Sequence, residues 1–105
     1  MLKQIVVGSP VPDVLLACVQ NNKIRSVATR PLFANGRALV VGLPGAFTPV
    51  CTQQHVPDFV QNAGKLTASG FNHLICIATN DPFVLDAWAR QLDPSKRLEF
   101  YSDGN

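Results

Sequence analysis

The chain has 105 residues, 47% of them hydrophobic and 15% charged, with a formal net charge of +2. That make-up suits one compact domain over residues 1–105 and leaves no room for a long disordered tail or a second domain. Its nine Lys and Arg are scattered, with no basic run interleaved with aromatics, so nucleic acid is not an expected partner.

Met1 to Pro10 is a short apolar stretch holding one lysine and soon interrupted by Pro10 and Pro12. It is too short for a signal peptide or a membrane helix, so the expectation is a cytosolic protein with no membrane partner. Val14 to Val19 reads as a strand, Asn21-Asn22-Lys23 as a hairpin-like turn, and Thr29 to Phe33 as one helical turn capped by Thr29. Ala38 to Val41 reads as a second, fully buried strand. A loop with two glycines and two prolines follows, Gly42 to Cys51, and then a helix through Phe59, Val60 and Leu66 that Pro57 should kink or break. Gly70 closes that helix, and Leu74 to Ala78 is another buried strand. Asn80-Asp81-Pro82 is a helix start, because Asp caps free backbone N–H groups and Pro gives up an N–H that needs no partner. This helix runs to Leu92, with Phe83, Val84, Ala87 and Trp88 near one face, and Asp93-Pro94 stops it. A last strand covers Leu98 to Tyr101. The alternation predicts an α/β fold with parallel pairing and helices on the sheet faces.

Three cysteines, Cys18, Cys51 and Cys76, without any Cys-x-x-Cys pair, point to neither a disulfide framework nor a zinc site. Cys76 lies within an apolar strand and reads as buried and inert, and Cys18 reads the same way. Cys51 differs, because it stands where a loop leaves a buried strand and enters a helix, the place where α/β folds bind ligands. Free N–H groups and the helix dipole there favour a thiolate. Acidity alone does little, however. Lowering a thiol pKa from about 8.5 to about 6 raises the thiolate fraction at pH 7 roughly thirtyfold. Falling nucleophilicity, with a slope of about 0.4 to 0.5, removes most of that gain. Rapid attack on an oxidant also needs donors that position it and stabilise the departing oxygen, and Thr48 is the first candidate.

Pro44, Thr48 and Cys51 in PGAFTPVC reproduce the Pro-x-x-x-Thr-x-x-Cys signature of peroxiredoxins. The stretches VGLPGAFTPVCTQQHVPDFV and CIATNDPFVLDAWAR resemble the atypical two-cysteine subgroup of that family. The resemblance covers nearly the whole chain. It implies a thioredoxin-like fold, with a central mixed sheet flanked by helices. It also implies a thiol peroxidase that reduces hydrogen peroxide and alkyl hydroperoxides through a cysteine sulfenic acid, with no metal or organic cofactor. Cys51 would be the peroxidatic cysteine, Thr48 would hydrogen-bond the peroxide, Pro44 would shield the site, and Arg90 would give electrostatic support. Thioredoxin, glutaredoxin or glutathione would return the thiol, and a homodimer is expected. Val50 stands where close relatives often carry Gly. The family's main active-site arginine and its resolving cysteine normally come from beyond the last strand seen here. The resemblance therefore implies a redoxin domain whose C-terminal part is missing after Tyr101 to Asn105.

Simpler readings stand beside these. Cys51 read alone is a small hydrophobe at a helix start, and Thr48 is a cap at the loop-to-helix junction. His55, four residues after Cys51, is a base, a metal ligand or a packed histidine. Trp88 and Phe83 are core residues, and Arg90 is a solvated charge. At the level of function, the alternatives are a non-catalytic thioredoxin-like fragment or interaction module, and a thiol-based peroxide sensor.

Overall fold

The computed structural model describes residues 6–34, 36–49 and 51–104, with Cys51 described by its backbone alone. Val50, the first five residues and Asn105, on which expectations fell, lie outside the described residues.

The chain forms β1 (Leu15–Gln20), β2 (Lys23–Ala28), α1 (Thr29–Ala34), β3 (Ala38–Gly42), a π-helical stretch (Cys51–His55), α2 (Val56–Ala68), β4 (His73–Ala78), α3 (Pro82–Leu92) and β5 (Glu99–Ser102). The strands make one sheet in the order β2-β1-β5-β4-β3. β3, β4 and β5 run parallel, while β1 is antiparallel to both β5 and β2, so the sheet is mixed. The parallel half is the expected alternation of strand and crossover helix.

Side chains alternate across β4. Leu74, Cys76 and Ala78 join the larger core beneath α2 and α3, with Val56, Phe59, Ala63, Leu85 and Trp88. Ile75 and Ile77 point to the other face, where Leu16, Tyr101, Leu32 and Phe33 gather. Full burial of side chains such as Val56 and Phe59 stabilises the α2 packing by about 1.5–3 kcal/mol each. Among the described residues no helix is long and apolar enough to cross a membrane.

Four local outcomes differ from the sequence expectation. β2 is a strand of its own that pattern reading passes over, because its first four residues are exposed and it is held by its ladder with β1. The β3 strand is only half covered, with Val40 43% exposed. Thr29 does not cap α1. Its hydroxyl donates to the Pro12 carbonyl and accepts the Val14 N–H, while the Asp13 carboxylate accepts the Arg30 N–H and does the capping from the preceding loop. Pro57 does not break α2: it lies in that helix's first turn, directly after the π-helical stretch, and the irregularity lies before it, in the wider π turns.

The start of α3 matches its expectation. The Asp81 carboxylate accepts the Phe83 N–H at 2.8 Å, with Pro82 in the first turn. Gly70 ends α2 with φ +106°, a left-handed conformation that glycine adopts without a Cβ clash.

Candidate active site

The site forms where the three parallel strands end. Past β3, the Leu43 N–H still donates to the Ile77 carbonyl at 2.8 Å, so the loop leaves the sheet with its first residue held. Past β5, the Asp103 N–H donates to the Ala78 carbonyl at 3.1 Å, and the Ser102 hydroxyl donates to the Asn80 carbonyl. Both strand ends are thus tied to the chain leaving β4.

The loop itself is bonded at each turn. The Ala46 N–H donates to Asn80 Oδ1 at 2.7 Å. The Thr48 hydroxyl donates to the Gly45 carbonyl at 2.9 Å, and the Thr48 carbonyl accepts the Thr52 N–H at 2.9 Å. Between these bonds Phe47 adopts φ +61°, a left-handed conformation that costs a non-glycine residue on the order of 1 kcal/mol. Such strain persists only where surrounding contacts fix the backbone, and here they do.

Cys51 opens the π-helical stretch that leads into α2. Its backbone sits at the N-terminal end of this helical run, where unpaired N–H groups and the helix dipole favour an anion. π-helical turns recur at functional sites. Trp88, fully buried on α3, donates its indole N–H to the Thr52 hydroxyl at 3.1 Å, and its ring lies 6.3 Å from that of Phe47. One side chain therefore contacts residues on both sides of Cys51.

The loop brings Pro44, Thr48 and the Cys51 backbone into one short segment, with Pro44 exposed and Thr48 half-buried. Arg90 is placed differently. It is exposed on α3 with its guanidinium 2.9 Å from the Asp86 carboxylate, and it lines a groove of about 630 Å³ between α3 and the end of β1, together with Gln20 and Lys96. His55 is exposed and gives no side-chain cap to α2. His73 lies on the other face of the sheet with Nδ1 2.8 Å from Glu99, whose second oxygen accepts the Tyr101 hydroxyl at 2.8 Å. Cys76 is buried in the core, while Cys18 is half-buried in β1. Burial pushes the Cys18 thiol up from its ordinary value, opposed by Arg25 and reinforced by Asp86 and Glu99. Among the described residues no group of three or more His, Cys, Asp or Glu is placed to hold a metal ion.

Two residues matter more than sequence reasoning suggests. Asn80 reads as part of a helix start, yet its side chain bonds the loop 34 residues earlier. Trp88 reads as core, yet its one polar atom reaches Thr52. The only sequence signal for either is the type of residue, an amide or an indole N–H that must find a partner when buried.

Comparison with known proteins agrees with this arrangement. Peroxiredoxin-2B of Arabidopsis thaliana is 36% identical over 102 residues, covering 96% of this chain and 63% of that protein. Peroxiredoxin-2C of Oryza sativa subsp. japonica is 38% identical over 101 residues, covering 95% and 62%. Reduced Prx3 from Vibrio vulnificus in complex with hydrogen peroxide superposes with a TM-score of 0.91 at 27% identity, covering 96% of this chain and 63% of that one. Peroxiredoxin 5 from Alvinella pompejana gives 0.84 at 31%, covering 95% and 63%. The chain thus has the thioredoxin-like fold of these structures and spans a little under two thirds of its relatives' length. The Redoxin family profile matches residues 6–105, and the chain belongs to the Redoxin family.

Proposed function

We propose that this chain carries the reactive centre of a thiol peroxidase, with Cys51 as its nucleophile. The observation that carries the reading is the Thr48 hydroxyl, fixed to the Gly45 carbonyl at 2.9 Å within the loop that leads into Cys51. With its proton committed to Gly45, the Thr48 oxygen offers lone pairs to the O–H of a hydroperoxide. The Cys51 thiolate attacks the terminal oxygen of that hydroperoxide. A sulfur–oxygen bond forms, the oxygen–oxygen bond breaks, and the alkoxide or hydroxide takes a proton from water. The products are a sulfenic acid and an alcohol or water. A thiol of thioredoxin, glutaredoxin or glutathione then displaces water to give a mixed disulfide, and a second thiol restores Cys51.

Pro44 shields the site without offering competing N–H donors. Arg90, exposed and paired with Asp86, gives at most weak electrostatic support. The peroxide held by reduced Prx3 of Vibrio vulnificus supports the substrate class. A reducing, cytosolic setting suits a chain whose chemistry rests on a thiol, and the exposed Phe47, Phe83 and Val84 support a homodimer.

The test is the second-order rate of hydrogen peroxide reaction with the reduced chain, followed by loss of thiol at Cys51, with Cys51→Ala as control. The expected rate exceeds that of free cysteine by about a thousandfold or more, the scale of positioned donors, and vanishes in the variant. A rate equal to that of free cysteine would overturn the proposal.

A further inference from the structure

We infer that Asn80 is a positioning residue that sets the direction of the Thr48 hydroxyl through the peptide group joining Gly45 and Ala46. The inference rests on the peroxidase reading above and names a residue that acts on the same site from the connection between β4 and α3.

The Ala46 N–H and the Gly45 C=O belong to one planar peptide unit, so fixing one fixes the other. The N–H end donates to Asn80 Oδ1 at 2.7 Å, and the C=O end accepts the Thr48 hydroxyl at 2.9 Å. Three groups thus form a hydrogen-bonded chain, from Asn80 through the peptide to Thr48. Each bond polarises the next, so Asn80 makes the Gly45 carbonyl a better acceptor. A Cβ added at Gly45 would lie 3.5 Å from Thr48 Cγ2 and 3.7 Å from Asn80 Oδ1, so both side chains lie beside this peptide.

Asn80 is itself held. Its carbonyl accepts the hydroxyl of Ser102, a residue 2% exposed at the end of β5, and the next residue, Asp81, caps α3. The residue that orients the loop is therefore held through its backbone at the end of β5 and at the start of α3. Without Asn80 the 45–46 peptide can rotate, and the Thr48 hydroxyl loses its single acceptor. Its proton would then compete with the substrate for the oxygen's directions.

The test combines a rate with a rotamer measurement. Asn80→Ala, and Asn80→Leu as a variant of similar volume, remove the acceptor. Each should slow peroxide reaction at Cys51 about tenfold, the effect of one well-placed hydrogen bond. In a Thr48→Val background the same changes should be silent within about twofold, because the pathway runs through the hydroxyl. Three-bond couplings at Thr48 should show one rotamer in the native chain, averaging in Asn80→Ala, and one rotamer again in Asn80→Asp, whose carboxylate accepts the same N–H. Equal slowing in both backgrounds would overturn the inference, as would an unchanged rate in Asn80→Ala while the native chain reacts fast. If the native chain itself reacts as an ordinary thiol, the peroxidase reading fails. The couplings then decide the positioning separately, and an unaltered Thr48 rotamer in Asn80→Ala overturns it.

Discussion

Trp88 and Thr52 are joined across 36 residues by a single hydrogen bond, the indole N–H donating to the threonine hydroxyl at 3.1 Å, inside the larger of the two cores. The same ring meets Phe47 at 6.3 Å and Phe100 at 6.0 Å, the latter edge-on. A buried indole N–H without an acceptor costs more than the bond itself stabilises, so the pair is asymmetric.

Trp88→Phe keeps an aromatic body but leaves a small gap and removes the donor, and is expected to cost about 1–2 kcal/mol in urea unfolding. Thr52→Val should cost more than its lost contact, because it strands the indole N–H. Adding Trp88→Phe to Thr52→Val should then cost less than the sum of the two single changes. Strict additivity would show that the bond does not form in solution.

Much of the fold was legible because its signals are local. Asn21 and Asn22 lie at φ 52° and 62°, and the strong turn preference of Asn marked the hairpin they form. Asp81-Pro82 announced α3, and the apolar run before Ala78 announced β4. The loop with Pro44, Thr48 and Cys51 was legible as a motif. What pattern reading passed over depends on partners distant in the chain. β2 has no buried apolar face to betray it and exists through its ladder with β1. Thr29 looks like a cap by spacing, but Pro12 and Val14 offer its hydroxyl better partners. Asn80 carries no periodicity at all, and only the folded chain brings it to Ala46.

Arg90 is 65% exposed and paired with Asp86 one helical turn earlier. An exposed charge already neutralised by a neighbour lends little field to a thiol elsewhere, since salt screens such charges over about 8–10 Å. Arg90→Ala should change the rate of peroxide reaction at Cys51 by no more than about twofold, and stability by less than about 0.5 kcal/mol. A tenfold fall in rate would place the guanidinium in the reaction itself.

Asp93 holds the connection from α3 to β5. It is 3% exposed, and its two oxygens accept the Arg97 N–H at 3.0 Å and the Leu98 N–H at 2.8 Å. Asp93→Ala leaves both donors without these acceptors and is expected to cost about 2–4 kcal/mol. Asp93→Asn keeps one acceptor oxygen and should lose about half as much. Urea unfolding of both variants tests the ranking, and an Asn variant no better than Ala would count against the two-bond account.

Tyr101 makes stability depend on alkaline pH. Burial, the hydrogen bond to Glu99 and the charge of that carboxylate all push its hydroxyl well above the ordinary value of 10.0. Above about pH 10 the unfolded chain therefore releases this proton while the folded chain still holds it. The native state then binds more protons than the unfolded one, and stability falls as pH rises. Tyr101's contribution is complete below pH 10 and is lost progressively above it. Cys18, raised mainly by burial, adds the same trend from about pH 9. In Tyr101→Phe the alkaline decline should be shallower, even though the variant loses the bond to Glu99 and begins less stable at pH 7. Urea midpoints for both proteins between pH 7 and 11 decide the matter, and parallel curves would show that Tyr101 ionises as readily in the folded chain as in the unfolded one.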